Sequence, residues 1–218
     1  MTSKHNSENS ENRPNVPRRK RGPSPTKTAE TKARIVRAAF QLFIEGGFEG
    51  TRMIDVAQAA GLGKGTLYRY YPTKEALFEG VLQEALGSAV QTLQNPKLEP
   101  GERIEDFLRR AIRPLMKDLQ TSHKADLFRL IITEGPRFPS LVSTYRRVVL
   151  EPVLSSIQTL AEQAKVRGEL ASDVLVRYPM LMLSPGLLAT IWNGLFLDQH
   201  LEPEVLFDAF IELIFSRL

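Results

Sequence analysis

From Thr28 onward the apolar positions recur with a helical period. Ile35, Ala39 and Leu42 share one face with Val36, Phe40 and Phe43, and Gly46-Gly47 predicts the end of this first helix. Two short helices are predicted next, from about Met53 to Ala60 and from about Lys64 to Tyr70. A Gly-Leu-Gly break separates them, and Pro72 closes the second. Thr73 is placed to cap a fourth helix, with Glu75 in the first turn, where the dipole favours negative charge. That helix carries Leu77, Phe78, Val81, Leu82, Ala85 and Leu86 on one stripe. Asn95-Pro96 and Pro100-Gly101 mark a loop and a domain transition. Further helices are predicted over 102–119, 124–134, 138–167, 172–197 and 203–217, with Gly168 capping the long one. No strand-like alternation and no internal repeat stands out. The predicted fold class is all-α.

The last two predicted helices are too apolar for a surface position. Tyr178 to Leu197 runs twenty residues without a charge, about the length that spans a bilayer. Pro179, Ser184, Pro185, Gly186, Asn193 and Gly194 interrupt it, and no basic cluster flanks it, which favours a helix buried between protein surfaces. In the final helix, Glu204, Asp208, Glu212 and Ser216 form one narrow polar stripe, and apolar residues fill the remainder. Such a helix must be covered on most sides. A twofold partner contributing the same pair of helices would cover it, which makes Val205, Leu206, Ala209, Phe210 and Leu213 candidate homodimer contacts.

Charge changes the picture at one end only. Residues 1–27 hold seven Lys/Arg against two Glu, residues 28–75 seven against five acids, and residues 76–218 fifteen against eighteen. A polyanion partner is therefore expected for the N-terminal part. Residues 1–27, polar and proline-punctuated around Arg18-Arg19-Lys20-Arg21, read as a disordered basic tail. That cluster is either a solvated tail or a minor-groove arm. The first thirty residues lack an apolar signal region, and the chain has no cysteine. A cytoplasmic protein without disulfides or thiolate metal sites is expected. His5, His123 and His200 lie far apart, so no metal and no cofactor is implied.

The stretch from Met53 to Tyr70 carries the functional signal. Ala57 is small where two helices cross, and Gly61 sits where the turn requires positive φ. Val56, Ala60, Leu62 and Leu67 are apolar where the helices pack. This is the spacing of a DNA-binding helix-turn-helix. Its second helix offers Lys64, Thr66, Tyr68 and Arg69 to phosphates and base edges in a major groove.

Phe48-x-Gly50-Thr51, Asp55-Val-Ala57 and the run from Ala60 through Lys64-Gly65-Thr66-Leu67-Tyr68 to Lys74-Glu75-Ala76-Leu77 resemble the N-terminal domain of the tetracycline-repressor (TetR) family. The match covers about residues 28–77; the remainder resembles the family in helix count and length. The resemblance implies a three-helix DNA-binding domain (28–75) on a six-helix body for ligand binding and dimerisation (76–218). It further implies a homodimer on a palindromic double-stranded DNA operator, most often a repressor released by a small-molecule effector. By position, Lys64, Gly65, Thr66 and Tyr68 match recognition-helix contacts, Tyr70 matches an aromatic that reaches phosphate, and Lys74 a phosphate contact. Thr51 and Arg52 stand at the start of helix 2 and join Arg69 as further DNA-facing candidates. Arg52 and Gly63 replace residues that commonly bear hydroxyls, which removes those phosphate contacts unless the Arg52 charge replaces one.

Other signals are weaker. Gly61 to Thr66 is not a phosphate-binding loop, because Lys64 precedes Gly65 and no strand leads into it. Ser122-His123 near Asp126 hints at a triad but lacks an elbow motif, so no enzyme is expected. Met116, Phe128, Phe138, Tyr145, Met182 and Trp192 are candidate ligand-pocket residues, although each taken alone reads more readily as core. A DNA-binding regulator without an effector is the alternative reading.

Overall fold

A computed structural model describes residues 24–215 and is helical almost throughout, the only strand-type pairing among those residues being an isolated Leu170–Phe215 bridge. The Arg18–Arg21 cluster and Ser216 lie outside the described residues. Helix α1 (Pro25–Gly50) starts three residues earlier than the apolar pattern suggests, because Ser24 accepts the amide of Lys27 and Pro25 occupies the first turn. Regular α1 geometry breaks at Gly47, whose φ of 72° is the left-handed conformation that glycine supplies. Helices α2 (Met53–Ala59) and α3 (Lys64–Tyr70) follow, with Gly61 at φ 63° in the turn between them, as the motif requires. Thr73 caps α4 (Lys74–Gln94) through the amide of Ala76.

The body continues with α5 (Ile104–Thr121), α6 (Lys124–Glu134) and α7 (Pro139–Tyr145). A π-turn (Arg146–Leu150) joins α7 to α8 (Glu151–Val166). The predicted 138–167 helix is therefore continuous but widened in the middle. Pro152 has no amide to donate and would crowd the carbonyl four residues back, and the amide of Glu151 bonds instead to Arg146, five residues back. The predicted 172–197 helix is broken. It comprises α9 (Val174–Arg177), a 3-10 turn (Pro179–Leu183) and α10 (Ser184–Leu195). Tyr178 precedes proline and is forced out of helical geometry. No helix among the described residues is long and apolar enough to cross a membrane. Helix α11 (Pro203–Ile214) packs on α5 and α10.

One core runs through the DNA-binding end and the body without a gap. Phe43, Phe48 and Phe78 are fully buried and meet edge-to-face or stacked, with centroids 5.5–5.8 Å apart. Phe138, from the α6–α7 turn, closes on Phe48 at 5.5 Å. Charged groups close the helix ends. The carboxylate of buried Glu169 accepts the first amide of α5, from Ile104, at 2.7 Å, where a helix N-terminus stabilises an anion. Asp208 of α11 takes Arg109 and Arg113 of α5, each at 2.8 Å.

The turn after Gly47 is held from the body. The amide of Phe48 donates to both carboxylate oxygens of Glu134, at 3.0 and 3.1 Å, and the amide of Glu49 to one of them at 3.2 Å. A Cβ on residue 47 would collide with that carboxylate, so Gly47 serves the approach as well as the φ. Glu134→Ala should leave the part-buried Phe48 amide unpaired and free the exposed Glu49 amide to water, lowering stability by about 2 kcal/mol and the melting temperature by roughly 4–8 °C. Glu134→Gln keeps one acceptor and should lose less than half as much. Calorimetry showing no change in Glu134→Ala would remove this contact from the account of the fold.

Candidate nucleic-acid interface and ligand cavity

Helix α3 is only seven residues long, too short to persist alone, so it exists because it is packed. Leu67 is fully buried and anchors it. Arg34 of α1 donates to the carbonyls of Ala60 and Gly61 and thereby closes the end of α2. Arg34 carried no signal in the sequence beyond being a basic residue on the polar side of α1. Tyr71 lies half-buried against Gly80 of α4, where a Cβ would come within 2.7 Å of its ring. Burial, and then the nearby Glu84 charge, push the Tyr71 phenol up from its ordinary value.

The outward face of α3 is open. Lys64, Gly65 and Arg69 are exposed, Tyr68 is 39% exposed, and Thr66 is partly so. Lys64 and Arg69 make no hydrogen bond or ion pair among the described residues; their cations lie 5.8 Å from the Tyr68 ring and 5.5 Å from the Tyr70 ring. Nothing stands within 4 Å of a Cβ built on Gly63 or Gly65, so another molecule can approach the backbone closely there. Arg52 projects into solvent but is paired bidentately with Asp55, at 2.7 and 2.8 Å, which holds that carboxyl below its ordinary value. Tyr70 is partly buried against the core.

Two other candidates are engaged inside the protein. The Thr51 hydroxyl is buried and donates to the carbonyls of Leu42 and Gly47, at 2.9 and 2.7 Å, so it faces the core and not a phosphate. The Lys74 ammonium donates to the carbonyls of Phe48, Glu49 and Thr51, at 2.6, 3.2 and 3.1 Å, and sits 4.6 Å over the Phe48 ring. Its three donors are matched by three main-chain acceptors. Lys74 thus ties α4 to the turn before α2, where the sequence suggested a phosphate contact.

The body holds a partly open apolar cavity of about 130 Å³ between α4, α5, α8 and α10. Of the six sequence candidates, Met116, Phe128, Tyr145 and Met182 line it. Phe138 does not, being packed on Phe48. Trp192 does not either: its ring meets that of Phe196 at a tilt, with centroids 4.6 Å apart, and it donates to the Gln199 carbonyl at 2.7 Å, securing the α10–α11 loop. The other lining residues were not singled out in the sequence as pocket residues; among them are Leu86, Val90 and Leu93 of α4, of which only Leu86 stood on the predicted apolar stripe. The Ser122 hydroxyl donates to the Asp118 carbonyl at 2.6 Å, whereas His123 pairs with Asp126 at 3.0 Å, so no Ser-His relay is assembled. No group of three or more metal-ligating side chains is found among the described residues.

Comparison with known proteins places this architecture. A family model described as bacterial regulatory proteins, tetR family, matches residues 35–81, and a tetracyclin repressor-like C-terminal domain model matches residues 101–214. The transcriptional regulator UidR of Escherichia coli (strain K12) is 25% identical over 169 residues, covering 76% of this chain and 84% of its own. The transcriptional repressor DhaR of Mycobacterium sp. (strain GP1) is 25% identical over 201 residues, covering 84% and 90%. The solved structure of the flavonoid-responsive regulator FrrA is 28% identical with a TM-score of 0.63, covering 87% of this chain and all of that one.

The two lysines of this region should separate by substitution. Lys74→Met leaves three carbonyls without a charged donor and should cost about 1.5–3 kcal/mol of stability. Lys64→Ala should leave stability within about 0.5 kcal/mol but shift base preference by about 1–3 kcal/mol. Thermal melts together with binding-site selection read both. A Lys74→Met protein that melts with the wild type would show that its carbonyl contacts carry no weight.

Proposed function

The chain belongs to the tetR family of bacterial regulatory proteins, and from that premise we propose that it is a sequence-specific, ligand-responsive repressor that acts as a homodimer on a palindromic operator. The observation that carries this reading is the course of α4. Its first residue, Lys74, is bonded to the turn that leads into the helix-turn-helix, and Leu86, Val90 and Leu93, three to five turns further on, line the cavity. One rigid element thus touches the operator-reading domain at one end and the ligand space about 24 Å away at the other. A ligand that prefers one body conformation shifts α4, and with it the separation of two recognition helices across a dimer. The flavonoid-responsive regulator and the repressor among its relatives support both halves of the reading. DNA contact is assigned to Lys64, Gly65, Thr66, Tyr68 and Arg69, with Arg52 and Tyr70 at the edges. The protein then works in the cytoplasm, on chromosomal DNA.

The dimer surface is assigned to α10 and α11. Pro203, Phe207, Ile211 and Ile214 face the chain's own core, while Val205 and Leu213 stand 55% and 78% exposed beside exposed Ala209. Leu188, Ile191 and Leu195 of α10 are exposed as well. This apolar face on two adjoining helices suits an isologous contact with a second copy. Two copies joined there would present recognition helices to successive major grooves about 34–36 Å apart. Phe210 and Leu206 are partly buried within the single chain, so charges there disturb the fold as well.

Val205→Glu with Leu213→Glu should give a monomer with unchanged helical content and operator affinity reduced at least 100-fold. Sedimentation and circular dichroism check it, and a double variant that stays dimeric would move the interface elsewhere. Switching is tested by linkage. Operator DNA selected from a random pool must change effector affinity by the same factor as effector changes operator affinity. A palindromic footprint that no effector moves would favour a regulator without one.

A further inference from the structure

The cavity wall restricts what the effector can be, on the reading that this cavity is the effector site. No Asp, Glu, Lys, Arg or His lines it. Of its two hydroxyls, that of Thr190 already donates to the Gly186 carbonyl at 2.8 Å. The other belongs to Tyr145, which makes no hydrogen bond through its side chain among the described residues. The Tyr145 ring is fixed edge-on against Phe128, with centroids 6.0 Å apart. Everything else on the wall is aliphatic, aromatic or thioether.

From this wall we infer that the effector is a small uncharged molecule, about the size of one aromatic ring, with an apolar body and a single hydrogen-bonding group that meets Tyr145. Three physical arguments carry the inference. A charged ligand would leave water for a wall without a counter-charge, which costs far more than apolar contact returns. A ring-sized body matches the space: apolar cavities of about 150 Å³ stay dry and take benzene-sized guests, and this one measures about 130 Å³. A single polar group on the guest satisfies the one wall hydroxyl left without a partner, and a second acceptor would find no donor, because the Thr190 proton is already given to Gly186. Burial pushes the Tyr145 phenol up to about 12, so at neutral pH it is a neutral donor and supplies no charge to attract a cation.

The two thioethers add tolerance of shape. Met116 and Met182 face the guest with flexible, polarisable side chains, so ring substituents are accommodated by rotamer change. Gly186 sets a limit on α10, where a Cβ would come to 3.2 Å from both Met116 and Leu119. That side of the cavity is already closed down.

A matched series of probes tests the inference on the full-length protein. Ethylbenzene, benzyl alcohol, benzylamine and benzoate share one ring and differ in the attached group. Calorimetry at pH 7 should show benzyl alcohol binding most tightly, ethylbenzene within about tenfold of it, and the ammonium and carboxylate probes at least 100-fold weaker. Tyr145→Phe should cut benzyl alcohol affinity by about five- to tenfold and leave ethylbenzene unchanged. Ala89→Phe, which fills the space from α4, should abolish binding of all four, and the milder Ala89→Leu should weaken it if the larger ring disturbs folding. Charged probes that bind as tightly as benzyl alcohol, or neutral ones that fail to bind, overturn the inference. Operator affinity measured beside each titration separates the two readings. Neutral probes that bind in the cavity yet leave DNA affinity unchanged support the ligand class and overturn the switch.

Discussion

The turn from Gly47 to Thr51 is the constraint on which the molecule depends. A chain leaving one helix and entering the next exposes amides and carbonyls that must find partners. Here the partners come from elsewhere in the chain. Glu134 at the end of α6 takes the amides, Lys74 at the start of α4 gives to the carbonyls, and Thr51 folds its hydroxyl back onto two more. Phe48, between them, buries its ring against Phe43, Phe78 and Phe138. The opposite charges of Glu134 and Lys74 thus meet through the main chain of one turn. Loss of either leaves polar backbone unpaired beside a hydrophobic cluster, which is the more expensive failure.

The same two helices join the turn to the cavity. Residues of α4 and α6 reach the turn at one end and the cavity at the other, with Phe128 of α6 on the wall, less than two turns before Glu134. Packed helices slide or rotate as units and do not deform continuously. On the proposed reading, a ligand-driven change of cavity shape would reach the Phe48 turn through these two helices. Arg137, just after α6, pairs with Glu49 at 2.9 Å and adds an exposed contact of small weight beside the buried ones.

Polar groups are treated in opposite ways at the two candidate sites. On α3 the cations are exposed and not neutralised from within, so their charge is open to solvent. Around the cavity, charges are absent and the polar surface is reduced to two hydroxyls. The cations of α5 that might have entered the body, Arg109 and Arg113, are instead held on the far side by Asp208. Solvent-facing charge and dry apolar space coexist within one small helical chain because each helix carries both, on different faces.

Local chemistry was enough to define the DNA-binding end. Period-3.6 spacing, two Gly-marked breaks and a Thr cap gave α1 to α4, because each of these signals acts within a few residues of the structure it dictates. The open face of α3 was legible for the same reason: Leu67 faces inward, so Tyr68 and Arg69, one and two residues on, turn away from the core, and Lys64 stands exposed at the helix start. Tertiary structure decided the rest. Lys74 and Thr51 are a cation and a hydroxyl beside a helix-turn-helix, and sequence cannot tell a phosphate partner from a carbonyl one; the choice rests on where the Phe48 turn lies. Glu134 is 86 residues from Phe48 in the chain and gave no sign of its role. Phe138 and Trp192 resembled pocket aromatics, yet one was recruited to the joint and the other to a loop. Which apolar stripe bounds a cavity and which fills a core is a matter of how far apart the helices are held, and residue spacing along one helix does not encode that distance.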